Sequence, residues 1–512
     1  MIRYAWSAAL VAVLLVGGCK KSGPNSPAYW EKQLEKEKTR RTALVKIADD
    51  LKEPAQKEWG AKLVVKYFDK DPASAATALG KLGIASGEVI DALERGVKSK
   101  DAGVIPSAAI ALRKLDGRKA EGALVEILSS WSVPNPQQMR DVRVEVIRAL
   151  GQFESRAGVP GMIAVASAES ATKTERYEAL NALSKSGDAR SIPAFIQGLY
   201  LACAMDRCSA VSRIGLARIG KASVPALMNA IAGKDAEVQK IAKARKLDES
   251  QGQVSAVPLI ALGDVADAET AKQLAAKYLE GEPSMTKASA IATIGYAGSP
   301  ALAGALRAYY EKPTLETRTN ILHALHRIGA RSAVPFLVEI IEKAEDPNLV
   351  WNAGLSLSYL GGEAQIPVAE ATLKKAQAAM KGKGEEAALA KQTATFYTQF
   401  LARLRAAKGC ADDACWNRKL KDADKEVRTK AVRMLAFAKD QGAAEAALVA
   451  ALADPVGDVR EEIAFVLGKV GTAAKVIPAL KTRLNEDKSK GGMKASLFLY
   501  ELLAARLQGR SL

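Results

Sequence analysis

The stretch RTNILHALHRIGARSAVPFL, residues 318–337, decides the fold. Apolar or small residues follow the opening arginine at positions +3, +6, +7 and +10, which places them on one face of a helix. Gly329 stands where this helix should end, because glycine adopts the left-handed conformation of a C′ residue without strain. Pro335 follows six residues later and suits the first turn of a second helix. The stretch therefore predicts a helical hairpin.

The same pattern recurs along the chain, in residues 176–195, 213–227 and 460–480, and in weaker form from Arg143 and Arg428. A single hairpin cannot bury its own apolar face, so neighbouring units must stack. We therefore predict an all-α protein, a right-handed α-solenoid of about 11 hairpins. The units begin near residues 72, 105, 143, 176, 209, 255, 287, 318, 350, 428 and 460. The predicted helix-ending glycines are Gly187, Gly220, Gly329, Gly361 and Gly471, and the predicted helix-starting prolines are Pro160, Pro193, Pro225, Pro335, Pro367 and Pro478.

These units resemble HEAT and HEAT-like repeats, including the bilin-lyase-type variant with units of about 30 residues. The resemblance covers roughly residues 70 to 490. It implies a stacked helical fold and says little about function, because one fold carries many unrelated functions.

Acidic residues stand two positions before the opening arginine in four units. Residues two apart on a helix do not face each other, so any ion pair would join neighbouring repeats. HEAT proteins often carry such an Asp/Arg ladder, and the resemblance implies a structural role for these arginines rather than a row of phosphate-binding groups. The predicted ladder residues are Asp141, Arg143, Glu316, Arg318, Glu426, Arg428, Asp458 and Arg460.

The N-terminus has the pattern of an exported protein. Arg3 precedes the apolar run Ala5–Val16, which is too short to span a bilayer as a helix. Val16-Gly17-Gly18-Cys19 then resembles the lipobox of bacterial lipoproteins, which implies cleavage before Cys19 and lipidation of its thiol. A plain signal peptide or anchor with an incidental cysteine is the alternative. Lys20, where retained lipoproteins carry Asp, favours an outer membrane lipoprotein facing the periplasm over retention in the inner membrane.

The predicted organisation follows from these patterns. It comprises a signal peptide (1–18), a tether (19–28), N-terminal capping helices (29–70), HEAT-like repeats (71–367), an irregular insertion or degenerate repeat with a cysteine pair (368–424), and further repeats with a C-terminal cap (425–512). Residues 29–51 read as one charged helix and residues 493–507 as a final amphipathic helix, both suited to capping a solenoid.

The four cysteines after Cys19 form two pairs with the same spacing, Cys203 with Cys208 and Cys410 with Cys415. An even number of cysteines in an exported protein favours disulfides. Residues five apart on one continuous helix cannot be bridged, so each bonded pair must straddle a turn. A redox couple or a metal site is the alternative, although neither pair has the CxxC spacing of thioredoxin-like motifs.

The sequence contains no motif for catalysis or cofactor binding. There is no P-loop, no dinucleotide-binding glycine motif and no nucleophile elbow. His323 and His326 lie at the margin of the apolar stripe, so we expect surface or edge histidines rather than metal ligands. We therefore expect no enzymatic activity, no cofactor and no metal.

Three functions compete. The first is a non-enzymatic protein-protein interaction scaffold held by its lipid at the cell envelope, where the net charge of +17 favours an acidic envelope protein, anionic lipid or a cell-wall polymer as partner. The second is a basic nucleic-acid-binding protein or lyase-like enzyme, because some HEAT-like proteins resemble bilin lyases or DNA glycosylases. Export argues against it, so no nucleic-acid partner is expected. The third is a sensor whose cysteine pairs act as redox switches.

Overall fold

The computed structural model describes residues 23–204, 207–282, 284–311, 314–489 and 494–510. These residues form α-helices joined by turns and one-turn 3-10 helices, and no strand occurs among them. Cys19 and the predicted signal peptide lie outside the described residues. Internal contacts group the chain into two compact units, residues 1–153 and 154–512.

The first unit is a stack of helical hairpins. Its helices are α1 (Pro27–Glu35), α2 (Glu37–Asp50), α3 (Pro54–Lys66), α4 (Pro72–Leu82), α5 (Gly87–Lys98), α6 (Ile105–Lys114), α7 (Glu121–Ser130) and α8 (Pro136–Gln152). Helices α2, α4, α6 and α8 pack in succession as one layer, and α3, α5 and α7 form the other. Residues 29–51, predicted as one helix, are two, because Lys36 has an extended backbone with φ −79° and ψ 119°.

Helix α5 shows why these segments fold as they do. The hydroxyl of Ser86 caps its N-terminus by accepting a hydrogen bond from the Val89 amide at 3.3 Å. Val89, Leu93 and Val97 recur at helical spacing and are fully buried. Each such side chain contributes roughly 1.5–3 kcal/mol when it leaves water, so packing against the neighbouring helices dominates the stability of the hairpin.

The second unit continues the alternation of helices. Its helices are α9 (Val159–Ser167), α10 (Lys173–Ser186), α11 (Ile192–Gly198), α12 (Cys208–Ile219), α13 (Val224–Ile231), α14 (Ala236–Ala244), α15 (Ala256–Val265), α16 (Ala268–Tyr278), α17 (Met285–Ala297), α18 (Ala303–Tyr310), α19 (Leu315–Arg327), α20 (Val334–Lys343), α21 (Pro347–Leu360), α22 (Ile366–Ala379), α23 (Glu385–Arg405), α24 (Asp413–Lys419), α25 (Lys425–Leu435), α26 (Gln441–Ala451), α27 (Gly457–Val470), α28 (Ala473–Ser489) and α29 (Lys494–Arg510). The predicted all-α solenoid is confirmed.

The inner helices of the second unit form a closed circuit. We call α12, α15, α17, α19, α21, α23, α25, α27 and α29 the inner helices, because each packs on the next in this order. Helix α29 then packs on α12, where Leu502 and Ala505 join Ile214 and Ala217 in one apolar cluster. The predicted C-terminal cap is therefore the helix that closes this circuit.

A glycine makes this closure possible. Gly220, which follows α12, contacts the backbone of Gly509 in α29, and a Cβ on Gly220 would lie 2.9 Å from the Gly509 carbonyl carbon. Gly220 also has a positive φ of 73°, so a side chain would be strained as well as crowded.

The prediction for the helix-ending glycines is partly confirmed. Gly187 and Gly329 have the positive φ expected of a C′ glycine, at 60° and 76°. The prediction is wrong for Gly361 and Gly471, which have extended backbone with φ near −77° and −75°. Glycine suits these two sites for a different reason, since a Cβ would lie 2.9 Å and 2.6 Å from a carbonyl oxygen of the preceding helix.

Five of the six predicted prolines lie in the first turn of a helix, at the starts of α9, α11, α13, α20 and α22. Pro478 does not, because it lies inside α28, which begins at Ala473. In the repeats of α11, α13, α20 and α22, a one-turn 3-10 helix precedes the proline. In α28 these residues are part of the α-helix instead.

Residues 368–424, predicted as an irregular insertion or degenerate repeat, contain most of α22 and all of α23 and α24. Helix α23 packs between α21 and α25 as an inner helix, and α24 packs on α25. The segment therefore keeps the alternation of inner and outer helices.

Candidate functional site

A groove opens on the surface of the second unit between the outer helices α20 and α22. Its floor is formed by α21 and α23, and its volume is about 940 Å³. Val338, Ile341, Val368 and Leu389 contribute apolar walls. Helix α22 packs mainly against α23 and makes few contacts with α20, and the groove lies along the boundary between the two outer helices.

Trp351 gives the groove an aromatic floor. The indole Nε1 donates a hydrogen bond to the Thr393 hydroxyl at 2.7 Å, and the ring makes an edge contact with Phe396 at 5.6 Å between centroids. These contacts fix the indole while its remaining face lines the groove. Rigid aromatic groups of this kind often dominate binding energy at protein interfaces.

The rim of the groove is acidic although the protein is basic. Glu342, Glu345 and Glu386 line it and are exposed, and Lys375 is the one basic residue among the lining residues. No ion pair joins these three carboxylates to a described residue. A segment that binds here with basic residues at its edges would therefore gain charge complementarity.

The interior of the circuit holds a network of cations and aromatic rings. The guanidinium groups of Arg403 and Arg433 lie over the ring of Tyr359, at 4.7 Å and 4.9 Å from its centroid. Arg403 pairs with Glu426 at 2.7 Å, and Arg433 pairs with Glu462, to which its Nη2 donates at 3.0 Å. All these side chains are largely buried, so the network joins α21, α23, α25 and α27 across the interior.

Lys430 is the most buried cation of the interior, with no exposed surface. Its ammonium donates hydrogen bonds to the carbonyl oxygens of Ser358, Tyr359 and Gly361 at 3.0, 2.7 and 2.8 Å. Burial lowers the pKa of Lys430 to about 7, whereas three donated bonds require the charged form. The lysine thus ties α25 to the end of α21, where carbonyl groups have no partner within the helix.

Both histidines face this interior, and the prediction of surface or edge histidines is wrong for His326, which is buried. His326 is 4% exposed, stacks on Tyr359 at 5.0 Å and shares a hydrogen bond of 3.1 Å with the Ser356 hydroxyl. Burial, with Arg433 nearby, lowers its pKa well below 6.5. His323 is half-buried and bonds to the Asn352 side chain at 2.7 Å. The prediction failed because the closed circuit covers the inner face of α19.

A cavity of about 400 Å³ lies beside this network, between α12, α15, α17, α19, α27 and α29. Ile260, Ala292, Phe465 and Leu502 contribute apolar walls. Ile260 is 52% exposed, so the cavity has an apolar opening to solvent.

Four charged groups line this cavity. Arg213 donates to both carboxylate oxygens of Asp264, at 2.7 Å and 3.0 Å, and its guanidinium lies 5.1 Å from the Phe498 ring centroid. Burial raises the pKa of Asp264 and lowers that of Arg506 to about 10. The Arg506 guanidinium makes no hydrogen bond to a described residue, and the exposed Glu316 stands at the edge.

The predicted ladder residues find partners mostly outside the predicted set. Arg428 pairs with Asp454 at 2.7 Å and Asp458 with Lys425 at 3.6 Å, in each case between neighbouring repeats. Arg460 donates to the Asp454 carbonyl oxygen at 2.7 Å. Glu426, as described above, pairs with Arg403. These residues therefore link repeats without forming the regular ladder.

The four remaining ladder residues belong to α8 and α19. Asp141 accepts a hydrogen bond from Gln137 in its own helix at 2.8 Å, and Arg143 is half-buried in α8. Arg318 lies over the ring of Tyr310 at 5.4 Å, and Glu316 lines the cavity.

Both cysteine pairs are joined in the structure. The Cα atoms are 5.3 Å apart for Cys203 and Cys208 and 5.5 Å apart for Cys410 and Cys415. Each bond spans the turn at the start of a helix, α12 or α24. The oxidised state of both pairs stays a prediction. Among the described residues, no group of three or more His, Cys, Asp or Glu side chains is arranged to hold a metal ion.

Sequence reasoning missed the groove and the cavity. Trp351 belongs to a repeat that fits the template, so nothing in its sequence distinguishes it from a core residue. Arg506 belongs to the helix predicted as a cap. The one available signal was the long gap between repeats starting near 350 and 428, which adjoins the groove.

Comparison with known families agrees with the repeat pattern. Residues 271–358 and 418–493 match HEAT repeats, and residues 175–200 match the PBS lyase HEAT-like repeat. No curated protein sequence matches the chain significantly.

Solved structures similar to this chain are distant from it. Kap95p, from a structure with RanGDP, is 12% identical with a TM-score of 0.40, over 95% of this chain and 78% of that one. Kap121p bound to Nup53p is 10% identical with a TM-score of 0.38, over 96% and 67%. Human deoxyhypusine hydroxylase is 15% identical with a TM-score of 0.22, over 61% and 96%.

No helix among the described residues combines the length and the apolar character that crossing a membrane requires.

Proposed function

We propose that the chain is a non-enzymatic interaction scaffold, held by a lipid on Cys19 at the periplasmic face of the outer membrane. Its groove between α20 and α22 would bind an amphipathic helix of an envelope protein. The observation that carries the proposal is the groove itself, an uncovered apolar surface with a fixed indole on its floor and unpaired carboxylates on its rim.

The dimensions of the groove favour a helix as its occupant. Helix α22 has 14 residues, which corresponds to roughly 21 Å of helix at 1.5 Å per residue. An amphipathic helix lays its apolar face into a groove of this kind through residues at i, i+3, i+4 and i+7. Basic residues at its edges would meet Glu342, Glu345 and Glu386. The net charge of the whole protein favours an acidic partner, but this surface favours a basic segment.

Site-specific photo-crosslinking in cells tests the proposal. We would place p-benzoylphenylalanine at Ala371, which lines the groove, and at Lys272, an exposed residue on α16, as the matched control. We expect one envelope protein to be crosslinked from position 371 and not from 272. The crosslinked peptide, identified by mass spectrometry, should lie in an amphipathic helical segment that carries Lys or Arg.

Two variants then test the acidic rim of the groove and the lipid anchor separately. Exchanging Glu342 and Glu345 for lysine should weaken binding of that helix, as a synthetic peptide, at least tenfold. Cys19→Ser should release the protein from the membrane fraction and remove the crosslink in cells, while the peptide still binds the purified protein. Equal crosslinking from both positions, or crosslinking to nucleic acid, would contradict the proposal.

A further inference from the structure

The cavity inside the circuit has features that packing alone does not explain. Its walls are apolar, yet the guanidinium of Arg506 lies in them without a hydrogen bond to a described residue. Arg506 is half-buried and burial lowers its pKa, so its guanidinium is only partly hydrated and an acceptor inside the cavity would stabilise it. Asp264 does not supply that acceptor, because its carboxylate makes its bidentate pair with Arg213 and no hydrogen bond joins it to the described Arg506.

We propose that this cavity binds a small apolar carboxylic acid, whose carboxylate pairs with Arg506 and whose hydrocarbon chain lies against Ile260, Ala292, Phe465 and Leu502. The volume of about 400 Å³ lies within the range of about 300–1,000 Å³ typical of ligand pockets. Apolar walls with a few polar groups that fix the orientation are the usual composition of such sites.

The charged groups around the cavity favour a ligand with an anionic head group. Arg213 and Asp264 neutralise each other in their bidentate pair. Glu316 is exposed and lies at the edge, where water screens it. Arg506 is therefore the charge left to be matched by a ligand. It remains protonated at neutral pH, since burial leaves its pKa at about 10.

Because of the position of the cavity, a bound ligand should affect the stability of the circuit of inner helices. Its walls come from α12, α15 and α17 on one side and from α27 and α29 on the other. A ligand that contacts both sides binds only the closed circuit, so it should stabilise the contact between α29 and α12. The site is distinct from the groove, and its test does not depend on the proposed function.

Isothermal titration calorimetry with decanoate tests the proposal on the full chain with its lipid removed by Cys19→Ser. We expect saturable binding with a stoichiometry of one and a dissociation constant in the micromolar range. Arg506→Gln should weaken decanoate binding at least tenfold and leave binding of 1-decanol, which lacks the carboxylate, within twofold. Lys272→Gln on α16, the matched loss of one positive charge, should change neither.

A variant that fills the cavity gives the second arm. Ala292→Phe should weaken both decanoate and 1-decanol at least tenfold, and circular dichroism with the melting temperature checks that it is folded. If Ala292→Phe does not fold, Ala292→Leu serves as a smaller filling. Absence of saturable decanoate binding to the unchanged protein would overturn the proposal. Equal weakening of decanoate and 1-decanol by Arg506→Gln would overturn the role of the carboxylate.

Discussion

The first unit and the last repeats of the second unit use the same hairpin but stabilise it differently. In the first unit most ion pairs lie on the surface, such as Lys119 with Asp91, whose side chains are 66% and 48% exposed. Around α25 several pairs are buried, such as Arg428 with Asp454, whose side chains are 9% and 6% exposed. Surface ion pairs contribute little to the free energy of unfolding. Removing one member of a buried pair is strongly destabilising, because the other charge is left buried without a partner.

This difference in burial depends on which residues pack against the inner face of each repeat. A repeat that borders only its neighbours leaves its polar face in water, as expected for a solenoid. The inner helices from α12 to α29 border residues from across the circuit as well. Lys469 of α27 donates to the carbonyl oxygen of Arg327, and Phe465 makes an edge contact with Tyr296 at 5.8 Å. Side chains that would be solvated in an ordinary solenoid repeat are therefore buried inside the circuit, where they hold the inner helices together.

Removing one member of a buried pair should have the largest effect. Arg433→Met leaves the carboxylate of Glu462 buried without its partner, so we expect the free energy of unfolding to fall by about 3–5 kcal/mol. Lys119→Met in the exposed pair should leave the free energy of unfolding almost unchanged, because water screens this pair. Urea unfolding followed by circular dichroism measures both. An equal, small cost for the two variants would mean that the interior is solvated.

The pH dependence of stability should come next in size. Because burial lowers the pKa of His326 well below 6.5, the folded protein keeps it neutral while the unfolded chain binds a proton near pH 6.5. Its contribution to stability is therefore present above pH 6.5 and is lost progressively as the pH falls below that value. In His326→Gln, stability should fall less between pH 7 and pH 5 than in the unchanged protein. Parallel stability curves would contradict the buried position.

Reduction of the disulfides should have a moderate effect. Each closes a short loop, so replacing either pair by serine should cost about 2 kcal/mol or less. Cys203 and Cys208 are buried at 2% and 1% exposed, whereas Cys410 and Cys415 are half-buried, so the first replacement should cost more. Urea midpoints with and without dithiothreitol measure this. Unchanged midpoints on reduction would show that the bonds are absent, and a reversible change of shape would favour the redox sensor.

Two glycines with the same positive φ allow the smallest effect to be tested. Gly83 and Gly329 both have φ of 76°, but a Cβ at Gly83 meets open space and one at Gly329 would overlap the ring of Phe437. Gly83→Ala should cost about 1 kcal/mol from the backbone alone. Gly329→Ala should cost about 1 kcal/mol more. Adding Phe437→Ala should abolish that excess, and a persistent excess would place its cause outside the contact with Phe437.

The sequence predicts the repeat well because its signals are local. An apolar face, a helix-ending glycine and a proline in the next first turn all act within about 20 residues. Even so, the pattern misjudged Gly361, where a Cβ would crowd the Leu357 carbonyl oxygen, and Pro478, which lies inside a helix that begins at Ala473. The lipid on Cys19 and the envelope location remain predictions.

The interior and the groove could not be predicted because they depend on contacts between distant repeats. Arg433 occupies a helix position that looks solvated in the sequence, and only the closure of the circuit buries it. His326 was misplaced for the same reason. The groove is lined by residues of α20, α21, α22 and α23 together, a combination that no local residue pattern encodes.

The central claim is that α29 packs on α12 and closes the circuit of inner helices. The most direct test is a distance between nitroxide labels at Ala222 and Gln508, attached through p-acetylphenylalanine so that the cysteines stay unchanged. Both residues are exposed. Since packed helix axes lie about 8–10 Å apart, double electron-electron resonance should give one narrow distribution below about 30 Å. A broad distribution centred at much longer distances would contradict the closed circuit.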